Sequence, residues 1–483
     1  MSKLDKAFVK EITSQSEDYS QWYLDVVLKA QLMDYSPVKG CMVIRPYGFA
    51  LWENMQQRLD RRIKDTGHKN AYFPLFIPES LLQKEADHLE GFAPEVAWVT
   101  HGGNEKLTER LVVRPTSETI ICEMYSRWIQ SYRDLPVLIN QWCNVVRWEK
   151  VTRPFLRTSE FLWQEGHTAH RNEEEAEEET LKMLEVYRDF VENDLAIPLF
   201  VGRKTENEKF AGSLRTYSIE ALMSDGKALQ AGTSHNLGTH FAKVFEITYL
   251  DRDGELKFVW QTSWGVSTRL IGAIIMVHGD DRGLVLPPKV APTQVVLVPI
   301  APKKVREEVL VKTRILYDEL RTEGIRIEMD DREEYSPGWK FNEWEMKGVP
   351  LRIEVGPRDL EAEQALLVRR DTGEKVTVNL GELKTRVPAL LEEIQNNMYE
   401  KAKKSRDDNT HRTDDYAEFK QIIEEKRGFI LSRWCGDSAC ELAVKEETKA
   451  TIRCIPFNME TTPGKCLHCS TESTKLVYFA RAY

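Results

Sequence analysis

A chain of 483 residues is longer than one hydrophobic core normally organises, so two to four domains are expected. A net charge of −10 speaks against a protein that coats nucleic acid generally, although a local basic patch for one folded RNA is compatible with it. The longest apolar stretch, "LIGAIIMV" at 270–277, falls short of the ~18–20 residues that span a bilayer, and the opening residues lack the apolar run of a signal peptide. A chain working in the cytoplasm, without membrane partners, is the expectation.

In chain order, residues 49–63 place Leu51, Trp52, Met55, Leu59 and Ile63 at helical spacing, with Gly67 as a stop. "AYFPLFIP" (71–78) reads as a short extended segment. "RPTSE" (114–118) packs a cation, two hydroxyls and a carboxylate together. It suits the ammonium group of a small substrate, or equally a hydroxyl cap with Glu118 in the first helical turn. "PVLINQWCNVVRWE" and "TSEFLWQEG" predict an antiparallel strand pair joined by the loop 150–157. Residues 173–195 predict a helix with Leu181, Leu184, Tyr187, Phe190 and Val191 on its apolar side and a solvated glutamate face. Residues 216–235 predict a hairpin turning at Asp225-Gly226.

Beyond Pro287-Pro288, strands and helices alternate as a compact α/β unit, and a long polar helical stretch over 381–427 leads to a cysteine-rich tail. Three domains follow: an α+β body with an antiparallel sheet over 1–285, an α/β domain over 286–385, and a small metal-bearing domain over 386–483. Of eight cysteines, five cluster within 435–469. Cys435 and Cys440, then Cys466 and Cys469, form two close pairs of thiolates, a pattern suited to a closed tetrahedral Zn²⁺ shell. Cys454 is the spare thiol and His468 the lesser substitute; reduced cysteines without metal are the alternative. Such a zinc would be a structural staple away from catalysis. Cys122 and Cys143 read as buried small apolar residues.

The chain carries no GxxxxGK[ST], no GxGxxG and no HExxH. A bound nucleotide must therefore be held by side chains. Arg147 late in one predicted strand and Arg157 at the start of the next suit successive phosphates, and Phe161 offers a face for a base. Taken alone, the arginines read as well as surface residues paired with Glu149 and Glu160. Arg269, before a buried apolar helix, reads by itself as an ordinary helix-surface residue.

Together these pieces resemble a class II aminoacyl-tRNA synthetase, and specifically the prolyl-tRNA synthetase family in its archaeal/eukaryote-like form. Segment 41–78, with Pro74, resembles the family's first motif; "VVRWE" with "LRTSEF" resembles the second and "GVSTRLIG" the third. "RPTSE", "WQEGH" (163–167), "AGTSH" (231–235) and "HGDDRGLVLPP" (278–288) match the prolyl enzymes in particular. The resemblance implies that Arg147 contacts the α-phosphate and the proline carboxylate, with Glu149 near the adenine amino group. It places Arg157 and Thr158 on ATP, adenine between Phe161 and Arg269, and Gln230 and Thr233 on ATP or its ribose. Arg147, Arg269 and Glu149 are the implied catalytic set. Thr116 and Glu118 would hold the proline ammonium, with Trp163, Phe210, His235 and Ser263 around the ring. Arg352, Glu354 and Arg358 are implied for the anticodon of tRNA(Pro). ATP, Mg²⁺, a structural Zn²⁺ and a homodimer built on the first motif complete the expectation. The interval between 165 and 261 is too short for the editing domain that other members insert there, and one methylene is worth only ~1–3 kcal/mol of discrimination. Misactivation of alanine or cysteine is therefore expected.

Overall fold

The computed structural model describes residues 12–84, 96–457, 459 and 462–483; the first eleven residues, on which part of the leader reading rests, lie outside them. Its centre is an antiparallel sheet. The strands Val137–Val146 and Glu160–His170 pair as the sequence predicts, with Val145 opposite Phe161 and Cys143 opposite Trp163. Next come Trp260–Ser267, Ala228–Gly238, Arg215–Leu222 and Leu199–Arg203, each antiparallel to its neighbour. The predicted hairpin turns at Asp225-Gly226, where Gly226 has φ +78°, a conformation that favours glycine.

Helices Pro46–Asp65, Glu173–Asn193 and Arg269–His278 bury their apolar stripes in one core against this sheet. The helix Glu173–Asn193 starts where Asn172 caps the Glu175 amide, and three glutamates in its first turn face the positive end of the helix dipole. Its buried stripe is Ala176, Thr180, Met183, Leu184, Tyr187, Phe190 and Val191. Leu181 is 39% exposed, against expectation, because at about 100° per residue it falls outside that stripe. Nor is the glutamate run wholly solvated: Glu179 is buried against His68 at 3.0 Å, and Glu177 accepts hydrogen bonds from Arg215 and Asn236.

The α/β unit is a five-stranded sheet. Ile327–Met329, Val295–Pro299 and Leu351–Val355 run parallel, and Gln364–Arg369 and Lys375–Asn379 continue it antiparallel. Contrary to the long helix expected over 381–427, the helix Leu383–Asp408 ends there. Its apolar face, from Leu383 to Met398, packs into the α/β core. The chain then enters the strand Thr410–Arg412 and the short helix Tyr416–Gln421.

The tail is no separate appendage. Its strands Thr410–Arg412, Phe429–Arg433, Leu476–Ala480 and Thr451–Pro456 join the central sheet through Ile455 opposite Arg203 and Pro456 opposite Gly202. The result is one sheet of eleven strands among the described residues. Gly202 allows the junction, since a Cβ there would lie 2.2 Å from the Ile455 carbonyl oxygen.

Candidate active site

Side chains two apart on a strand share a face, and the central sheet uses that rule to line a cavity of about 270 Å³. Phe161, Trp163, Glu165 and His167 come from one strand. Ser263 stands opposite both His167 and His235, and His235 opposite Thr216, so one row crosses four strands. The helix Glu118–Trp128 brings Glu118 to the rim, and the start of Arg269–His278 brings Arg269. Of the residues expected at the site, Thr116, Glu118, Arg147, Phe161, Trp163, Phe210, Gln230, Thr233, His235, Ser263 and Arg269 all line this cavity.

Part of the lining is anionic. Thr116 Oγ1 donates to the Glu118 carboxylate, and both residues are buried. Phe210 lies against the His235 ring at 4.8 Å, while His235 Nδ1 and Thr216 Oγ1 are 2.9 Å apart. Burial, opposed by Glu118, pushes His235 down to about 4, so it is neutral at pH 7 and offers a ring rather than a charge.

The same lining also carries cations. The Arg147 guanidinium lies 5.6 Å from the Phe161 ring centre and 5.4 Å from that of Trp163, and its Nε donates to the Pro115 carbonyl at 3.1 Å. Arg269 is half-buried; its Nε and Nη1 reach the carbonyls of Leu156 and Gln230 at 3.4 and 3.5 Å. Burial and then the fields of Arg147, Arg157 and Arg453 push its pKa down to about 10. Crowded guanidiniums repel one another, and a polyanion relieves that repulsion.

Three family models match in succession: "tRNA synthetase class II core domain (G, H, P, S and T)" over residues 98–278, "Anticodon binding domain" over 294–390, and "Prolyl-tRNA synthetase, C-terminal" over 416–483. The proline–tRNA ligase of Natranaerobius thermophilus is 68% identical, and that of Alkaliphilus oremlandii 64%, each over all of both chains. That of Symbiobacterium thermophilum is 64% identical, again over all of both chains. The chain belongs to the prolyl-tRNA synthetase family.

Beside the cavity of this prolyl-tRNA synthetase, three of the expected ATP residues stand apart from its lining. Arg157 Nε donates to Glu149 Oε2 at 2.7 Å on the surface, the pairing that its sequence context allowed. Thr158 is buried, and its Oγ1 donates to the Glu160 carbonyl at 2.8 Å. Conversely, sequence reasoning passed over Glu165 and His167, although the alternation through Phe161 and Trp163 points to them. Glu165 is buried and accepts from Ser117 Oγ at 2.5 Å and Gln141 Nε2 at 2.8 Å, with His167 Nε2 at 3.0 Å. Cys143 is not a plain apolar filler: its Sγ donates to Glu165 at 3.3 Å and accepts from Trp163 Nε1 at 3.2 Å. Cys122 is buried, as expected.

Burial opposes ionisation of both Glu165 and His167. The hydrogen bonds and charge of His167, with Ser117 and Gln141, nevertheless hold Glu165 below its usual range. Glu165, then Glu118, lifts His167 above 6.5. The raised His167 stabilises the fold fully below its unfolded pKa of about 6.5, and this is lost as pH climbs through the folded value. The depressed Glu165 stabilises the fold above its unfolded pKa of about 4.3, and this is lost as pH falls through the folded value. His167→Gln should therefore lower the melting temperature more near pH ~6 than near pH ~9. Calorimetry at both values checks this, and an equal loss at each would count against the ion pair.

Among the distal residues, Arg352 Nε donates to Glu354 Oε1 at 2.9 Å, and its guanidinium lies 4.1 Å from the Phe341 ring centre. Arg358 is exposed in the short helix Pro357–Glu361. In the C-terminal domain, the four sulfurs of Cys435, Cys440, Cys466 and Cys469 lie within 4.8 Å of one another. A tetrahedral Zn²⁺ shell with ~2.3 Å bonds needs sulfurs about 3.8 Å apart, so the set fits with little movement. Cys454 is buried in a strand outside this set, and His468 faces Glu447 at 4.0 Å. None of the four cysteines lines the cavity.

Proposed function

We propose that this chain activates L-proline with ATP to prolyl-adenylate and transfers the prolyl group to the 3′ end of tRNA(Pro). The observation that carries this reading is one cavity lined both by a hydroxyl–carboxylate pair, Thr116 and Glu118, and by the guanidiniums of Arg147 and Arg269. The first suits a secondary ammonium, and the second suits a carboxylate and phosphates. Trp163, Phe210, His235 and Ser263 enclose the apolar ring between them.

In this reading the proline carboxylate attacks the α-phosphorus in line, and pyrophosphate leaves. Arg147 draws the two reacting anions together, and Arg269 with Phe161 holds the adenine. Gln230 and Thr233 bound the nucleotide, and Glu149, Arg157 and Thr158 close over it from the motif 2 loop. Mg²⁺ bound with ATP would spread the charge of the leaving pyrophosphate. The 3′-terminal ribose hydroxyl of tRNA then takes the prolyl group. Proline-dependent ATP–pyrophosphate exchange, followed by aminoacylation of total tRNA, tests the reading; a folded protein with neither activity would refute it.

The remaining assignments belong to the same proposal. The division expected at 285 and 385 assigns catalysis, anticodon reading and metal binding to successive domains, with Arg352, Glu354 and Arg358 toward the anticodon; the second boundary moves to the end of the helix Leu383–Asp408, whose apolar face packs into the α/β core. The segment 171–259 is occupied by helices and strands of the central sheet region, which supports the absence of an editing domain in cis. A homodimer through segment 41–78 is supported by exposed Phe49, Tyr72 and Phe76, and sedimentation tests it. No helix among the described residues is long and apolar enough to cross a membrane; action in the cytoplasm is part of the same proposal.

Zn²⁺ would be held by Cys435, Cys440, Cys466 and Cys469 as a closed structural shell. Cys466→Ser should abolish one-to-one zinc content and lower the melting temperature by roughly 10 °C. Deuterium uptake should rise first within 430–483. Unchanged uptake there, with zinc lost, would remove the metal from the account of stability.

A further inference from the structure

Glu220, on the strand Arg215–Leu222, is fully buried between two cations from opposite sides of the domain junction. Lys204 Nζ donates to its Oε1 at 2.7 Å, and Arg453 Nε and Nη2 donate to its Oε2 at 3.0 and 2.9 Å. Ser218 Oγ also donates to Oε1, at 2.9 Å. Lys204 Nζ in turn donates to the Arg453 carbonyl at 2.6 Å, so the three form one closed cluster. Lys204 is 2% and Arg453 8% exposed. None of the three lines the cavity.

One cation would satisfy the charge of Glu220; the cluster holds two, a net positive charge withdrawn from water. Burying an excess charge is costly, and a docking contact alone does not require it. Its position suggests its use. Glu220 stands opposite Gln230 in the hairpin, and the Gln230 carbonyl is the one that Arg269 Nη1 reaches. Arg453 is also among the charges whose field reaches Arg269, where Glu220 acts with the opposite sign.

We propose that Arg453, supplied by the C-terminal domain, is a positioning residue for ATP. Its buried charge adds to the positive potential behind Arg269, across the pairing of Glu220 with Gln230. An unscreened charge in a low-dielectric interior acts on anionic phosphates without touching them. The C-terminal domain thus completes the nucleotide site from behind, in addition to any role in stability. The proposal rests on the ATP reading of the cavity.

Pyrophosphate exchange by the full-length protein, with ATP and proline varied separately, provides the test. Exchange by the wild type and its loss in R269A address the ATP reading itself. R453M should raise KM for ATP on the order of tenfold and leave KM for proline within about twofold, while R453K, which keeps the charge, restores most of the difference. If R453M does not fold, E220Q reads the same field with the opposite sign: it leaves both cations and should lower KM for ATP. A lowered melting temperature with unchanged KM for ATP in R453M would overturn the proposal. So would parallel rises in both KM values, equal impairment in R453K, or a raised KM for ATP in E220Q.

Discussion

Arg269→Ala is expected to lower proline-dependent pyrophosphate exchange about a thousandfold, with no loss of thermal stability. The two halves of this result have one cause. Arg269 is half-buried, and desolvation followed by the fields of Arg147 and Arg157 pushes its pKa down to about 10. A cation whose folded pKa is depressed is less stable charged in the fold than in the unfolded chain, so at neutral pH it opposes folding. Removing it relieves the repulsion, while ATP loses the group that faces its base. Exchange rates measured beside a thermal melt separate these effects. Activity within tenfold of wild type, or a loss that tracks unfolding, would refute the assignment.

Glu118→Gln should raise KM for proline about a hundredfold and leave KM for ATP nearly unchanged. Glu118 is buried at the start of the helix Glu118–Trp128, with Thr116 donating to its carboxylate. The amide preserves shape but removes the charge that a secondary ammonium meets. Nearby His235 is neutral at pH 7, whereas His167, raised by Glu165 and then Glu118, is the cation of the lining that already faces this carboxylate. Exchange at varied proline gives the answer; a change below about fivefold would place ammonium recognition elsewhere.

Much of the site was legible before any fold was known, because its signals are local. Arg147, Phe161 and Trp163 sit within one hairpin whose alternation the sequence displays, and Thr116 and Glu118 are two residues apart. The paired cysteines needed only their spacing, and the structure brings all four sulfurs together. What escaped was set by neighbours across the sheet. Glu165 and His167 lie in the same alternation as Trp163, yet only Ser117, Gln141 and Cys143 packed around them reveal a built network. Arg157 and Glu149 are close in sequence, and their pairing on the surface was one of two readings that composition alone left open.

The sequence by itself determined the order of elements, the hairpin at Gly226, the alternating α/β unit, the thiol set and the motif arginines. All but the last depend on periodicity or spacing within a few residues; the arginines, which taken alone read as surface residues, are singled out by the family resemblance of their motifs. Only the tertiary structure decided that Leu181 faces outward, that the helix from Leu383 serves the α/β core, and that the C-terminal strands extend the catalytic sheet. Those outcomes depend on which surfaces meet. The pairing of Gly202 with Pro456 joins segments far apart in the chain, and it rests on a missing Cβ where two backbones approach. A close approach of that kind leaves no period in the sequence, and the buried charges of Glu220 and Arg453 acquire meaning only across it.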